Sequence, residues 1–373
     1  MNSNIKSTSL ITKLWSEDEF RLNQNEWGEL LNKSNANPIF LSWNWLYNWW
    51  SIRREVGDTL FIIAIYENAK LIAIAPLYIE KDSYFNGALK TSRLQFIGKR
   101  YSGSEGIRSE YMDFIIQTDR QKTGMLEVLT AINDDRSWTE LSLNDFNTDS
   151  PNYPVIKSWL SKQKYYSRIE SQGNAFIVDC SLDFDSYLKT LGKNTRLKLY
   201  NRRKLLEKKG CVEIEFINQG NMEQFFELIN AWQVQRWGTP FLNEMNQCFF
   251  NQALGLSSDK LSLKYTSVLK LDGKPLSIMV NIDSNDSIYN IQTGYIEDFD
   301  KKIALGTLHM GYMLEHSFEV PKIKVFDFLE GRGKNSNYKS RIAIEGRELE
   351  SRRWFRSGLL KLTFRFYDKY FRQ

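Results

Sequence analysis

Residues 262–282, SLKYTSVLKLDGKPLSIMVNI, carry the pattern that decides the fold. Two runs rich in apolar and β-branched residues flank a polar turn, which predicts a strand, a turn and a second strand. Residues 60–79, LFIIAIYENAKLIAIAPLYI, repeat this order, and an alignment of Lys70 with Lys274 also sets LIAI beside PLSI. The repeat indicates a distant internal duplication of one supersecondary unit.

Each hairpin is followed by elements of the same kinds in the same order. After the first hairpin we expect a strand at 111–116, a helix near 121–133 and a strand at 140–146. After the second we expect a strand at 287–295, a helix from about Gly306 to Phe318 and a strand at 324–331. This order predicts an α/β protein with mixed sheets and two similar lobes.

The length and composition agree with two globular lobes. A chain of 373 residues is long enough for two domains, which we place at 1–170 and 171–345, followed by a tail at 346–373. The apolar share of 42% and the 7 prolines argue against disorder. The net charge of +5 is small for this size, so we do not expect a nucleic-acid partner.

Cysteine and histidine are too sparse for a metal centre or a disulfide framework. The three cysteines, Cys180, Cys211 and Cys248, are widely spaced and include no Cys-x-x-Cys pair. The two histidines, His309 and His316, are too far apart for a ligand pair on one helical turn. We therefore expect no metal cofactor, and we expect both histidines to be partly exposed helix residues.

The apolar stretches predict neither secretion nor membrane spanning. The first fifteen residues contain no apolar run of signal-peptide length. The longest apolar stretch, Leu60 to Ile79, is interrupted by Glu67, Asn68 and Lys70, which would lie near the bilayer centre. We therefore expect a cytoplasmic protein.

A strongly basic segment, Lys193 to Lys209, precedes the second hairpin. It contains eight basic residues and one acid, and its pattern predicts a helix with Leu199 and Leu206 directed inward. Its charge has two interpretations, a solvated surface or an anion-binding face to which Arg202 and Arg203 contribute. The sequence alone leaves both open.

The tail also combines basic with apolar residues. From Gly346 to Gln373 it has eight bases and three acids, interleaved with aromatic and aliphatic side chains. This composition is typical of an amphipathic element. It predicts either a peripheral contact with an anionic membrane, at the inner face of the cell membrane, or packing against the body of the protein.

Several short motifs resemble one enzyme family when they are taken in order. They are Tyr295, KIALGTL at 302–308, FDFLEG at 326–331 and Tyr338-Lys339. This string resembles the GNAT-fold acetyltransferases of the CelD/BcsL type, which are similar to the FemAB-like tandem-GNAT transferases. PIFLSW at 38–43, LIAIAPL at 71–77 and the basic segment are similar to the same family. The resemblance implies two GNAT-like lobes, with a degenerate first lobe that shapes the acceptor side and an acyl-CoA site in the second.

The resemblance also implies where the donor binds. In a GNAT fold two strands splay apart, acyl-CoA adds between them like a strand, and the turn before the next helix offers free N–H groups to the pyrophosphate. The matching turn here is formed by Ala304, Leu305, Gly306 and Thr307. The donor implied is acetyl-CoA or another acyl-CoA.

Acyl transfer requires a base, an oxyanion stabiliser and an acid for the departing thiolate. Asp327 and Glu330 are alternative bases, although Asp327 is equally well interpreted as a buried carboxylate that caps a turn. We expect Tyr338 to supply a proton and, from the family pattern, Lys339 to neutralise the oxyanion or an acceptor phosphate. For Arg236 and Trp237, contact with the acceptor and a structural role remain equal alternatives.

The leading hypothesis is an acyl-CoA-dependent transferase. The resemblance implies acetyl transfer to an amine or hydroxyl of a sugar or saccharide precursor in cell-surface polysaccharide synthesis. One alternative is an aminoacyl transferase of the peptidoglycan-bridge kind. Another is a non-catalytic scaffold that binds anions or membranes.

Overall fold

The computed structural model describes residues 9–100, 108–218, 221–255, 261–331 and 338–371. By contact density the chain divides into two compact units. The first comprises Met1–Gln172 and Glu348–Gln373, and the second comprises Gly173–Arg347. The second unit begins and ends two residues later than the predicted lobe at 171–345. Residues 348–373, predicted as part of a separate tail, group with the first unit.

The elements alternate between strands and helices along the chain. The strands are β1 (Leu10–Trp15), β2 (Thr59–Glu67), β3 (Lys70–Tyr84), β4 (Leu89–Phe96), β5 (Ile115–Ile116), β6 (Glu140–Asn147), β7 (Tyr166–Asp179), β8 (Val212–Phe216), β9 (Leu254–Gly255), β10 (Leu261–Ser262), β11 (Ser267–Leu271), β12 (Lys274–Ser284), β13 (Ser287–Tyr295), β14 (Val325–Glu330) and β15 (Ile344–Phe355). The helices are α1 (Glu17–Leu22), α2 (Gln24–Asn32), α3 (Trp43–Arg53), α4 (Gln121–Asp134), α5 (Asn152–Lys162), α6 (Phe184–Thr190), α7 (Lys193–Arg196), α8 (Arg203–Glu207), α9 (Met222–Trp237), α10 (Glu244–Ala253), α11 (Leu305–Glu319) and α12 (Gly358–Tyr370).

The first unit is built on a mixed sheet of order β1-β2-β3-β4-β6-β15-β7. Its pairs with known register are antiparallel except β4 with β6, which run parallel through residues 93–95 and 140–142. The core contains the fully buried side chains of Phe20, Trp27 and Trp45. The sheet and its helices therefore match the predicted α/β class.

The second unit repeats this plan around α11. The sheet runs β7-β14-β13-β12, with β11 on β12 and β8 on β11. Apolar residues of α11, among them Met310, Met313 and Leu314, pack in a buried cluster with Phe326 and Phe328 of β14. These contacts fix α11 against β14 in the core of the second unit.

The two hairpins that indicate a duplication have the same turn. Asn68 and Ala69 join β2 to β3 with φ values of 50° and 63°, and Asp272 and Gly273 join β11 to β12 with φ values of 48° and 74°. Two consecutive residues with positive φ are characteristic of a type I′ turn, whose twist suits a two-residue hairpin. Each turn is followed by the aligned lysine, so the repeated sequence pattern corresponds to a repeated backbone structure.

Two predicted helices differ from the structure. The basic segment is not one helix, because a π-helical turn at Leu197–Asn201 separates α7 from α8. Leu199 and Leu206 are nevertheless buried, as expected. The tail is also not a single amphipathic element, since its first part completes β15 and only its second part forms α12. Among the described residues, none of the helices has both the length and the apolar character needed to span a bilayer.

Candidate functional site

Two neighbouring strands of the second unit separate soon after they meet. β13 and β14 are parallel partners only at Ser287–Val325, Ile288–Phe326 and Tyr289–Asp327. Beyond these pairs β13 remains bonded to β12 and β14 to β7, so each strand has one edge directed into the gap. Along the described residues, no other chain segment pairs with β13 or β14 there. The gap therefore exposes the edge of β13, whereas the side chains of Asp327 and Lys339 occupy backbone groups of β14 at residues 328–330.

Both strands carry an irregularity at the point of separation. In β13 the register with β12 shifts after Asn290, whose amide donates to Asn281 Oδ1 at 2.9 Å. Asn281 in turn donates to the carbonyl of Tyr265 at 2.8 Å. In β14 the register with β7 shifts between Asp327 and Glu330. Bulges bend strands away from their neighbours, and they account for the divergence.

The bulge in β14 contains a strained residue held by two side chains. Leu329 has φ of 60°, which is unfavourable for a residue with a side chain. Asp327 Oδ1 accepts the backbone N–H of Leu329 at 2.7 Å. This contact supports the alternative in which Asp327 caps a turn.

Lys339 is the second side chain that holds the bulge. It is only 8% exposed, and its ammonium donates to the carbonyls of Phe328, Leu329 (3.3 Å) and Glu330 (2.8 Å). Three carbonyl acceptors match the three ammonium hydrogens. Because those hydrogens point to the strand, the expected role of Lys339 as oxyanion donor does not fit this geometry.

The N-terminal end of α11 lies beside β13. Ala304 occupies the N-cap position and has no side-chain acceptor, and Leu305, Gly306 and Thr307 form the first turn. A Cβ atom at Gly306 would lie 2.8 Å from the ring of Tyr295. Glycine is therefore required here for contact with Tyr295, in addition to any contact with phosphate.

A polar cluster surrounds Tyr295. Arg236 donates to the Tyr295 hydroxyl at 2.9 Å and pairs with Glu297 at 2.8 Å. Burial raises the pKa of Tyr338 to about 12, with a further increase from Tyr295 and a decrease from Arg236. Tyr338 therefore keeps its proton at neutral pH, as a proton donor must. The side chain of Trp237 lies outside the described part of the structure.

Glu330 is the other candidate base. It is buried, and its carboxylate lies so close to Gly173 that a Cβ atom there would overlap Oε1 at 1.7 Å. The carboxylate thus extends across β7 at the wide end of the gap, and Gly173 makes room for it.

The basic segment contributes contacts within the unit. The Arg203 guanidinium lies over the rings of Tyr200 (4.3 Å) and Tyr312 (4.0 Å) and pairs with Glu315. These contacts give Arg203 a packing role against α11. Arg202 is half-buried beside it. Within the described ranges of the chain, Nε of Arg202 and Nε and Nη2 of Arg203 are buried without a hydrogen-bond partner, so the anion-binding interpretation of these two arginines stays a prediction.

His309 is fully buried, which corrects the expectation of a partly exposed residue. Its ring nitrogens lie 3.0 Å from the hydroxyls of Ser267 and Ser277, and Ser277 donates to the carbonyl of Gly294. Burial lowers the pKa of His309 to about 3, so the ring is neutral. It joins α11 to the sheet. His316 is half-buried.

The corresponding gap in the first unit is filled by the chain itself. β4 leaves β6 after three parallel pairs, and β15 covers the other edge of β6. Met112 N–H then donates to the carbonyl of Asp145 at 2.9 Å, and Asn147 N–H donates to the carbonyl of Met112 at 3.1 Å. Among the described residues, the first unit therefore offers no open strand edge at this position.

Three features of the site are absent from the sequence-based predictions. They are the strained Leu329, the pairing of Met112 and the contact of Tyr295 with Gly306. The motif FDFLEG includes Leu329, but its residue types do not predict a positive φ at that position. No group of His, Cys, Asp and Glu among the described residues could hold a metal ion.

Comparisons with known proteins agree with this geometry. The model of the acetyltransferase (GNAT) domain family matches residues 193–340, which include the basic segment, the divergent strands, α11 and Lys339. No curated protein sequence matches the chain significantly.

Solved structures show the same fold over nearly the whole chain. FemX is 10% identical with a TM-score of 0.57, covering 97% of this chain and 100% of that one. L-PGS from Bacillus licheniformis is 12% identical with a TM-score of 0.50, covering 92% and 95%. A C-terminal DUF2156 domain from Agrobacterium fabrum, assigned to a lysylphosphatidylglycerol synthetase, is 9% identical with a TM-score of 0.50, covering 95% and 97%. At such identities the likeness shows the fold alone. Residues 193–340 of the chain therefore match an acetyltransferase (GNAT) domain, and the fold of the chain is similar to that of FemX.

Proposed function

We propose that the protein transfers an acyl group from acyl-CoA, bound between β13 and β14, to an amine or hydroxyl acceptor. The observation that carries this proposal is the separation of the two strands after three pairs, next to the N-terminal end of α11. An extended pantetheine arm has amide groups that can pair with an open strand edge. The filled gap of the first unit supports the second unit as the only donor site of this kind among the described residues.

The N-terminal end of α11 suits the pyrophosphate of the donor. The first turn of a helix has free N–H groups and a partial positive charge. Lys301 and Lys302, both exposed, immediately precede this turn and add positive charge. Acetyl-CoA is the donor that we favour, because the family model is that of an acetyltransferase domain.

The side chains at the gap fit the chemistry of thioester aminolysis or alcoholysis. The acceptor loses a proton to a base and attacks the thioester carbonyl, and the thiolate of CoA then leaves and takes a proton. We assign the base to Glu330, because its carboxylate extends over Gly173 of β7 at the end of β14. We assign the final proton to Tyr338, whose phenol lies close to Tyr295 beside the first turn of α11. Lys339 acts as a positioning residue through its hold on β14.

For the acceptor we propose an amine or hydroxyl of a saccharide precursor in polysaccharide synthesis. This class comes from the resemblance to the CelD/BcsL type. Arg236, which is partly exposed beside Tyr295, is suited to a hydroxyl or phosphate of the acceptor. The alternative, an aminoacyl transferase, is favoured by the likeness of fold to FemX. An enzyme that uses acyl-CoA would work in the cytoplasm.

The donor site is tested by a charge placed in the first turn of α11. Thr307 is half-buried at the third helical position, where an acidic residue favours the helix itself. We expect Thr307→Glu to weaken acetyl-CoA binding at least tenfold in calorimetric titration, because its carboxylate would repel the pyrophosphate, without lowering Tm. Thr307→Gln, whose side chain has the shape of glutamate without its charge, should bind acetyl-CoA almost as well as the wild type.

Acetyl-CoA, longer acyl-CoAs and charged tRNA should be titrated in parallel. Binding of charged tRNA without any acyl-CoA would favour the aminoacyl transferase. Equal acetyl-CoA affinity for Thr307→Glu and wild type would refute the site at α11. The substitution Gly306→Glu is less informative, because its side chain would first collide with Tyr295.

A further inference from the structure

Helix α12 in the first unit has one apolar face that is buried. Leu360 and Phe364 lie in a cluster with Phe355, where the rings of Phe364 and Phe355 stack at 4.3 Å. Phe364 also meets the ring of Tyr84 edge-on at 4.9 Å. These contacts attach α12 to the unit and fix which side of the helix faces outward.

The outward side of α12 carries a second apolar stripe. Leu359, Leu362, Phe366 and Tyr370 are spaced by three and four residues, so they lie on one face of the helix. Their exposed fractions are 62%, 68%, 59% and 59%. An ordinary surface helix places polar residues on its outer face. This stripe therefore requires an apolar partner outside the unit.

A row of bases runs alongside the stripe. Lys361, Arg365 and Lys369 follow one another at intervals of four residues, between the stripe and the attached face. The one acid of the helix, Asp368, is turned inward, where it accepts from Tyr166 at 2.7 Å and pairs with Arg168 at 2.8 Å. The outer surface of α12 thus combines apolar area with uncompensated positive charge.

We propose that the outer face of α12 binds the surface of an anionic phospholipid membrane. Acyl chains near the headgroups can accept the stripe, and lipid phosphates can pair with the adjacent bases. A second copy that packed the same face of α12 against the stripe would bring its own bases, and no carboxylate of that face, to the row. The inference rests on the first unit alone and is independent of the donor site.

The test compares vesicles of two compositions. The full chain is mixed with phosphatidylcholine vesicles or with vesicles that contain phosphatidylglycerol, and the bound fraction is measured by flotation. We expect binding to the anionic vesicles, with an affinity that falls as salt is raised. The double variant Leu362→Asp/Phe366→Asp should lose at least tenfold in affinity while keeping the wild-type Tm, because both side chains are exposed.

Two further variants separate the contribution of the bases on α12 from that of exposed apolar residues elsewhere in the chain. Lys361→Gln/Arg365→Gln/Lys369→Gln should weaken binding to anionic vesicles and flatten its salt dependence, since each base near such a surface contributes about fivefold. Leu182→Asp, a change at another leucine that is 71% exposed, should leave vesicle binding unchanged.

Three results would overturn the proposal. They are the absence of binding to anionic vesicles, equal binding by wild type and the Leu362→Asp/Phe366→Asp variant, and a dimer in sedimentation that this variant dissociates. The last result would identify the face as an interface between two copies.

Discussion

Replacement of Lys339 by methionine removes the ammonium that holds β14 away from β13. Methionine keeps most of the length of the side chain, so the change removes three hydrogen bonds with little change in volume. The carbonyls of Phe328, Leu329 and Glu330 then lose a common donor. The positive φ of Leu329 loses one of the contacts that maintain it.

The magnitude follows from these contacts. A buried polar group that loses its partner costs about 1–3 kcal/mol, so three carbonyls together predict a loss of about 3 kcal/mol or more. In a domain of this size each kcal/mol lowers Tm by about 2–4 °C, which gives a fall of roughly 6–12 °C. An oxyanion donor at the surface of a cleft would instead leave Tm almost unchanged and lower kcat by about a hundredfold.

The assay is thermal unfolding with acetyl-CoA binding measured in parallel. We expect Lys339→Met to lower both Tm and donor affinity, because the gap between the strands depends on the bulge. Lys339→Arg keeps the charge, but a planar guanidinium cannot direct three hydrogens to three converging carbonyls, so it should not restore Tm. Lys322→Met, a change at a nearby exposed lysine, serves as the control.

One pattern of results would refute this reasoning. If Lys339→Met unfolds within about 2 °C of wild type while kcat falls a hundredfold, the ammonium acts on the reaction and not on the strand. Partial recovery of kcat by Lys339→Arg would strengthen that conclusion.

Three further predictions concern protonation. Tyr338→Phe should lower kcat at least tenfold without weakening donor binding, because in our proposal the phenol supplies the proton that the departing thiolate takes; an unchanged kcat would exclude that role. Burial lowers the pKa of His309 to about 3, so its contribution to stability is complete above about pH 6.5 and is lost as pH falls toward 3. His309→Gln should therefore show a smaller loss of Tm between pH 7 and pH 4 than wild type. Burial raises the pKa of Asp113 to about 7, so its contribution is complete below about pH 4 and is lost as pH rises through 7. Asp113→Asn should reduce the loss of Tm of the first unit as the pH rises from 4 to 7. An unchanged loss of Tm would contradict the raised pKa of Asp113.

The strands and their duplication are predictable because they depend on local patterns. Alternating apolar residues and polar turns mark both hairpins, and the aligned residues Lys70 and Lys274 follow equivalent turns in the structure. The start of α11 at Leu305 is also readable, since a strand precedes it and a helical pattern follows. These features need only a few neighbouring residues to form.

The role of Lys339 and the burial of His309 depend on distant contacts. Lys339 meets carbonyls about ten residues away, and only because Leu329 adopts a positive φ that no local propensity predicts. His309 is placed between two serines that lie far away in the chain. Residue types and spacing place these residues on or near β14 and α11, but they cannot show which atoms each side chain reaches.

The pairing of Met112 with β6 has a thermodynamic consequence for the whole chain. A ligand that binds only a native state adds RT ln(1 + [L]/Kd) to its free energy of unfolding. In the first unit the bridge at Met112 occupies the gap, so we expect its folding equilibrium to have no term in donor concentration. In calorimetry the heat absorption of the second unit would move upward as acyl-CoA is added, while that of the first would stay in place. The unfolding transition of the first unit can therefore serve as an internal reference for the shift that donor binding causes in the second unit.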